Sequence, residues 1–187
     1  MEEGVSPILR ISHPPNFSPE RQYVYGVMIQ WFLGLDYYCV QEERSDVRIV
    51  LEGDPVGLEL VMKDQFFQME SASWLTPESL PVRPLEKWHL PEDLPVTLVA
   101  CDIPVLYGQE LPDGGYYHCE QGHGAALGID IFGSAFFMLT RYEEVIKPDR
   151  DARGRFPARA SLAYQENFLT RPIVNEYTEI LWWALHS

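Results

Sequence analysis

Four arginines, Arg150, Arg153, Arg155 and Arg159, fall within ten residues of this 187-residue chain, interleaved with Asp149 and Asp151. A guanidinium grips a carboxylate or phosphate at two points, so this density suits an anionic ligand or an interface with another domain or subunit. It equally suits internal pairing with Asp149, Asp151, Glu143 and Glu144. Phe156, Tyr164 and Phe168 stand nearby as flat faces for a sugar or as pins for the loop itself. Just upstream lies Arg141-Tyr142-Glu143-Glu144. In a cleft, Glu143 or Glu144 would be a general base and Arg141 a clamp for an oxyanion or phosphate. Consecutive helical residues point in different directions, however, so only part of this run faces any one cleft. The favoured expectation is a latch tethering the arginine loop to the preceding helix, with no catalytic residue assigned.

Other groupings point less firmly to chemistry. His118, Cys119 and His123 are zinc-type ligands in a Gly-rich loop, but the histidines are five apart and no second cluster follows, so neither a metal nor another cofactor is expected. Asp54, Glu59 and Lys63 resemble an acid–lysine set, yet Glu59 and Lys63 are four apart on an expected strand, on one side but not adjacent. Ser134 sits in "FGSAF", which lacks the second glycine of a nucleophile elbow. Gly133, Ser134 and Ala135 are instead expected to be small because another backbone packs close. Residues 122–128, "GHGAALG", carry neither a dinucleotide fingerprint nor a phosphate-loop lysine, and read as a loop leading into a helix.

Charge narrows the partners. Residues 1–145 carry 23 acidic and 8 basic residues, net −15, whereas residues 146–187 carry 5 and 6, net +1. Six of the 11 arginines lie from Arg141 to Arg171, so Arg171 joins the candidate contact set. An overall charge of −14 repels nucleic-acid backbones and anionic membrane surfaces. The odd cysteine count (Cys39, Cys101, Cys119), without a CxxC pair, favours a reducing, cytoplasmic setting. No basic–apolar leader opens the sequence, and residues 135–139 form an apolar run far too short for membrane insertion.

The elements that must position these residues follow from periodicity. Ser18 as N-cap and Pro19 at the first turn predict a helix over 19–33, with Tyr23, Val24, Val27, Met28, Trp31, Phe32 and Leu35 at helical spacing and Gly34 as its stop. Residues 36–41, 47–51 and 58–62 read as strands, the last two joined as a hairpin by "EGDPVG". Residues 66–69, 96–100 and 103–106 read as further strands, with Pro104 marking an edge or bend, and 71–95 as Pro-rich ordered chain carrying short strands. Asp113-Gly114 signals a turn. Helices are expected over 131–145 and from 171 to the end, the second capped by Thr170. Its apolar face is Ile173, Tyr177, Ile180, Leu181 and Ala184, widened by Trp182 and Trp183. The order predicts one α+β domain over 1–187: a mixed β-sheet with an N-terminal helix and two C-terminal helices packed on it. The wide apolar last helix either packs into this core, docks a following domain, or forms a homodimer.

Four stretches carry a resemblance: Asp-Ile-Phe-Gly-Ser at 130–134, Arg-Tyr-Glu-Glu at 141–144, Asp-x-x-Gly-Arg-Phe at 151–156 and Arg-Pro-Ile-Val at 171–174. Together they resemble an uncharacterised domain that precedes the catalytic domain in bacterial polysaccharide deacetylase-like proteins. The likeness is specific over about a quarter of the chain and loose over 17–110. It implies a non-catalytic accessory domain in carbohydrate metabolism, at the front of a longer protein. Contact with a downstream deacetylase-like domain or a glycan would run through Arg141, Glu143, Glu144, Arg150, Arg153, Arg155, Arg171, Trp182 and Trp183. It does not imply deacetylation by this chain, which lacks the Asp-and-two-His metal set of such enzymes. The alternatives are a hydrolase acting on a carbohydrate or anionic substrate through the Arg/Glu-rich helix end, and a structural oligomerisation module.

Overall fold

In the computed structural model, residues 8–53, 57, 59–91, 100, 102–120 and 124–187 are described. Asp54, Cys101, His123, nearly all of the expected strand 96–100 and half of the "EGDPVG" turn lie outside them.

Alternating apolar residues make a six-stranded mixed sheet. Its strands are β1 (Ile8–His13), β2 (Asp36–Gln41), β3 (Asp46–Leu51), β4 (Glu59–Lys63), β7 (Tyr117–Glu120) and β8 (Gly124–Leu127), in the order β2-β1-β3-β4-β8-β7. β1–β2 and β4–β8 pair in parallel; β1–β3, β3–β4 and β7–β8 pair antiparallel. The register aligns Ile11, Ile49, Leu60 and Ala125 in one row across four strands, all buried. The rows on either side of it, on the opposite face, carry Arg10, Arg48 and Glu59, which meet solvent in ion pairs. A second sheet, β5 (Glu86–His89) with β6 (Asp102–Val105), is two antiparallel strands. The expected hairpin 47–51/58–62 is thus β3–β4. Residues 117–120 and 124–127, expected as loop, are instead the paired strands β7 and β8.

Helices close the core over the apolar face. α1 (Ser18–Tyr25) runs on into a π-helix over Gly26–Phe32. α2 (Ile131–Leu139) packs against both α1 and α5 (Ile173–Ala184). The α5 face expected to be apolar, Ile173, Tyr177, Ile180, Leu181 and Ala184, is buried in this chain's own core, and the Tyr177 hydroxyl donates to the Pro104 carbonyl at 2.5 Å. The α+β class with a mixed sheet holds, and no helix among the described residues is long and apolar enough to cross a membrane.

Several local expectations are corrected. Phe17, not Ser18, caps α1, in the left-handed conformation (φ 51°) and without a side-chain bond. Pro172, not Thr170, precedes α5. Residues 66–69 turn rather than extend, because adjacent Phe66 and Phe67 are both fully buried and a strand would send them to opposite faces. The helix expected over 131–145 is broken. Arg141 adopts φ 55°, and a separate turn, α3 (Glu143–Ile146), follows. A further short helix, α4 (Leu162–Gln165), follows the arginine-rich segment, where no element was expected. Tyr23, Trp31 and Phe32, assigned to the apolar stripe, are 44%, 74% and 45% exposed. The i→i+5 register beyond Gly26 rotates the later residues out of the α-helical phase, as the Leu33 amide shows by donating to Met28.

Candidate functional site

The break after α2 decides what Arg-Tyr-Glu-Glu does. With Arg141 left-handed, Tyr142 turns inward and is 3% exposed. Its hydroxyl accepts from the Leu75 amide at 2.7 Å and meets Ser79 Oγ at 3.1 Å, pinning the Pro-rich segment to the core. Glu143 is buried, and both its carboxylate oxygens accept from the Leu162 amide at the start of α4, at 3.0 and 2.9 Å. Lys147 Nζ donates to the same carboxylate at 2.5 Å and to the Ala160 carbonyl at 2.9 Å. Both oxygens are therefore engaged in structure, which weakens the general-base role for Glu143. Arg141 reaches out to Glu144 at 2.6 Å.

The loop that follows is built on Asp151. Its carboxylate accepts from the amides of Arg153 (2.8 Å) and Arg155 (3.0 Å) and from Nε and Nη2 of Arg155 (3.0 and 2.9 Å). The Arg155 and Arg153 amides, then the Arg155 guanidinium, hold the Asp151 carboxyl below its ordinary range. Gly154 supplies the left-handed residue (φ 75°) that lets the loop fold back, so the Asp-x-x-Gly-Arg spacing has a mechanical reason. Arg150 ties the loop to α3 through the carbonyls of Glu144 (3.0 Å) and Lys147 (2.9 Å), with its guanidinium 6.0 Å above the Phe156 ring. Arg153 and Arg159 are exposed, and their guanidiniums make no hydrogen bond or ion pair among the described residues.

The remaining expected contact residues are dispersed. Arg171 pairs with the buried Glu176 and donates to the Asp102 carbonyl at 2.8 Å, joining the start of α5 to β6. Trp183 packs on Tyr117 with ring centroids 4.2 Å apart, while Trp182, 42% exposed, lies against His186. The structure therefore groups Arg141, Glu143, Glu144, Arg150, Arg153 and Arg155, and sets Arg171, Trp182 and Trp183 elsewhere. His118 pairs with Asp113 at 2.6 Å on the surface, and no group of three metal-type ligands forms among the described residues.

A buried charge network was missed. Arg21, fully buried, donates in parallel to Asp64 from Nη1 (2.9 Å) and Nη2 (2.7 Å), and to Asn16 from Nε and Nη2. Burial opposes the Arg21 charge, but the Asp64 carboxylate and the Tyr25 hydroxyl together outweigh it and hold the guanidinium above its ordinary range. Asp130 accepts from the Gly133 and Phe66 amides, both at 2.7 Å, joining the start of α2 to the turn after β4. Burial first, then the nearby Asp64 charge, pushes Asp130 up to about 7. The signal was present: Arg21 shares helical spacing with Val24, Tyr25 and Met28, all buried.

No curated protein and no solved structure matches the chain. A family of unknown function, DUF7033, matches residues 9–187, nearly the whole chain, which therefore belongs to that family.

Proposed function

We propose that the chain is a non-catalytic accessory domain in polysaccharide deacetylase-type carbohydrate metabolism. It contacts a following catalytic domain through the arginine loop. One observation supports this reading. Asp151, Gly154 and the bonds of Arg150 and Arg155 make a self-braced loop, and that bracing leaves Arg153 and Arg159 exposed, their guanidiniums without a hydrogen bond or ion pair among the described residues, on a chain of net charge −14. Free guanidiniums on a stiff loop are matched to carboxylates of a partner, because little side-chain and loop freedom remains to be lost on docking.

The test is calorimetric titration of this domain with the separately expressed downstream segment of its natural reading frame. Binding is expected at low salt and should weaken as salt is raised. Arg153→Glu with Arg159→Glu should weaken it at least tenfold, while Arg141→Ala, whose guanidinium is already paired with Glu144, leaves it within about twofold. Binding indifferent to the double charge reversal, or no binding at all, refutes the reading.

A further inference from the structure

The π-helical stretch Gly26–Phe32 and the edge strand β2 enclose an open cleft of about 650 Å³, within the size range of small-ligand sites. In the i→i+5 register residue 31 falls on the same side of the helix as residue 26, and Trp31 and Gly26 both line the cleft. In an α-helix Gln30 would hold that place and Trp31 would be turned aside. The Tyr37 hydroxyl closes the cleft beside Gly26, 3.6 Å from where a Cβ would stand. Exposed aromatic residues cluster at this site. Trp31 is 74% and Tyr23 44% exposed, and both line the cleft together with the partly buried Tyr37, whose hydroxyl faces the helix at Gln22 and Gly26. Singly scattered surface aromatics need no explanation, but several around one concavity do. Between them stand Gln22, Gln30 and Asp36, all exposed.

We propose that this cleft binds a neutral glycan chain. The lining combines flat aromatic faces with amide and carboxylate rims in comparable measure. Pyranose rings match it, with C–H faces for the aromatic planes and a belt of hydroxyls for Gln22, Gln30 and Asp36. A purely apolar ligand would strand those polar groups. Charge decides the glycan class: the lining holds a carboxylate and no arginine or lysine, on a chain of net charge −14, so uronate, sulfated and phosphorylated sugars are repelled. The site shares no residue with the arginine loop and stands or falls separately from it.

Native affinity electrophoresis tests the proposal, with gels containing glucan, N-acetylglucosamine polymer, mannan, xylan or galactan, and polygalacturonate as the anionic comparison. The chain should be retarded by at least one neutral polymer and not by polygalacturonate. Trp31→Ala and Tyr23→Ala, both at exposed positions, should each reduce the retardation at least fivefold with unchanged circular dichroism. Val82→Ala, a distant exposed position, and the Arg153→Glu/Arg159→Glu pair should leave it unchanged. Retardation equal in Trp31→Ala and the native chain, stronger retardation by polygalacturonate, or none by any neutral polymer overturns the proposal.

Discussion

Asp64→Ala should be among the most damaging single substitutions in this protein. The Arg21 and Asp64 side chains are 0% and 1% exposed and meet through two parallel hydrogen bonds of 2.9 and 2.7 Å. Removing the carboxylate leaves a guanidinium in the core with, among the described residues, Asn16, the Tyr25 hydroxyl and the Phe67 ring, 4.6 Å away. Breaking one side of such a pair costs about 3–5 kcal/mol, because the surviving charge is uncompensated. A domain of this size loses roughly 2–4 °C of melting temperature per kcal/mol, so a fall of about 6–20 °C is expected. Removing both charges, as in Arg21→Met/Asp64→Leu, should restore well over half of the loss, since apolar side chains of similar volume tolerate the site. Urea unfolding followed by tryptophan fluorescence and circular dichroism measures all of the variants as a double-mutant cycle. A loss below about 1 kcal/mol for Asp64→Ala, or a double variant as unstable as the sum of the singles, would refute the reasoning.

Asp130→Ala strands the Gly133 and Phe66 amides and should cost about 2–5 kcal/mol in the same unfolding assay. With its folded pKa raised to about 7, Asp130 binds its proton more tightly folded than unfolded, so its contribution is full below about pH 4 and is lost as pH rises through 7. The stability of Asp130→Asn relative to the native chain should therefore improve between pH 5 and pH 8, and a flat difference rejects the shift. Gly133→Ala places a Cβ 2.4 Å from both the Phe66 Cβ and the Asp130 carboxylate, and should destabilise by about 1–3 kcal/mol despite the better helix propensity of alanine. Arg153→Glu should change stability by no more than about 0.5 kcal/mol, because the exposed side chain has no described partner to lose.

Local pattern was enough for the parts whose signal lies within a few residues. The alternation in 36–41 marked β2 at its observed bounds, the α5 stripe from Ile173 to Ala184 was buried as its spacing required, and the small step at Gly133 marked a close approach. Asp-x-x-Gly-Arg was visible as a motif, but that Asp151 braces Arg155 while Arg153 stays free depends on the fold of the loop. Tertiary structure decided the rest. Helical spacing sets Arg21 in an apolar stripe, but its partner Asp64, 43 residues away, is brought to it only by the fold. Arg141 leaves the helix because Tyr142 must reach Leu75 and Ser79, a demand set from outside its own segment. The π-register after Gly26 turned Trp31 from an expected core residue into the wall of a cleft. Periodicity reports which residues would share a face if the helix stayed regular, and only packing against the sheet determines whether it does.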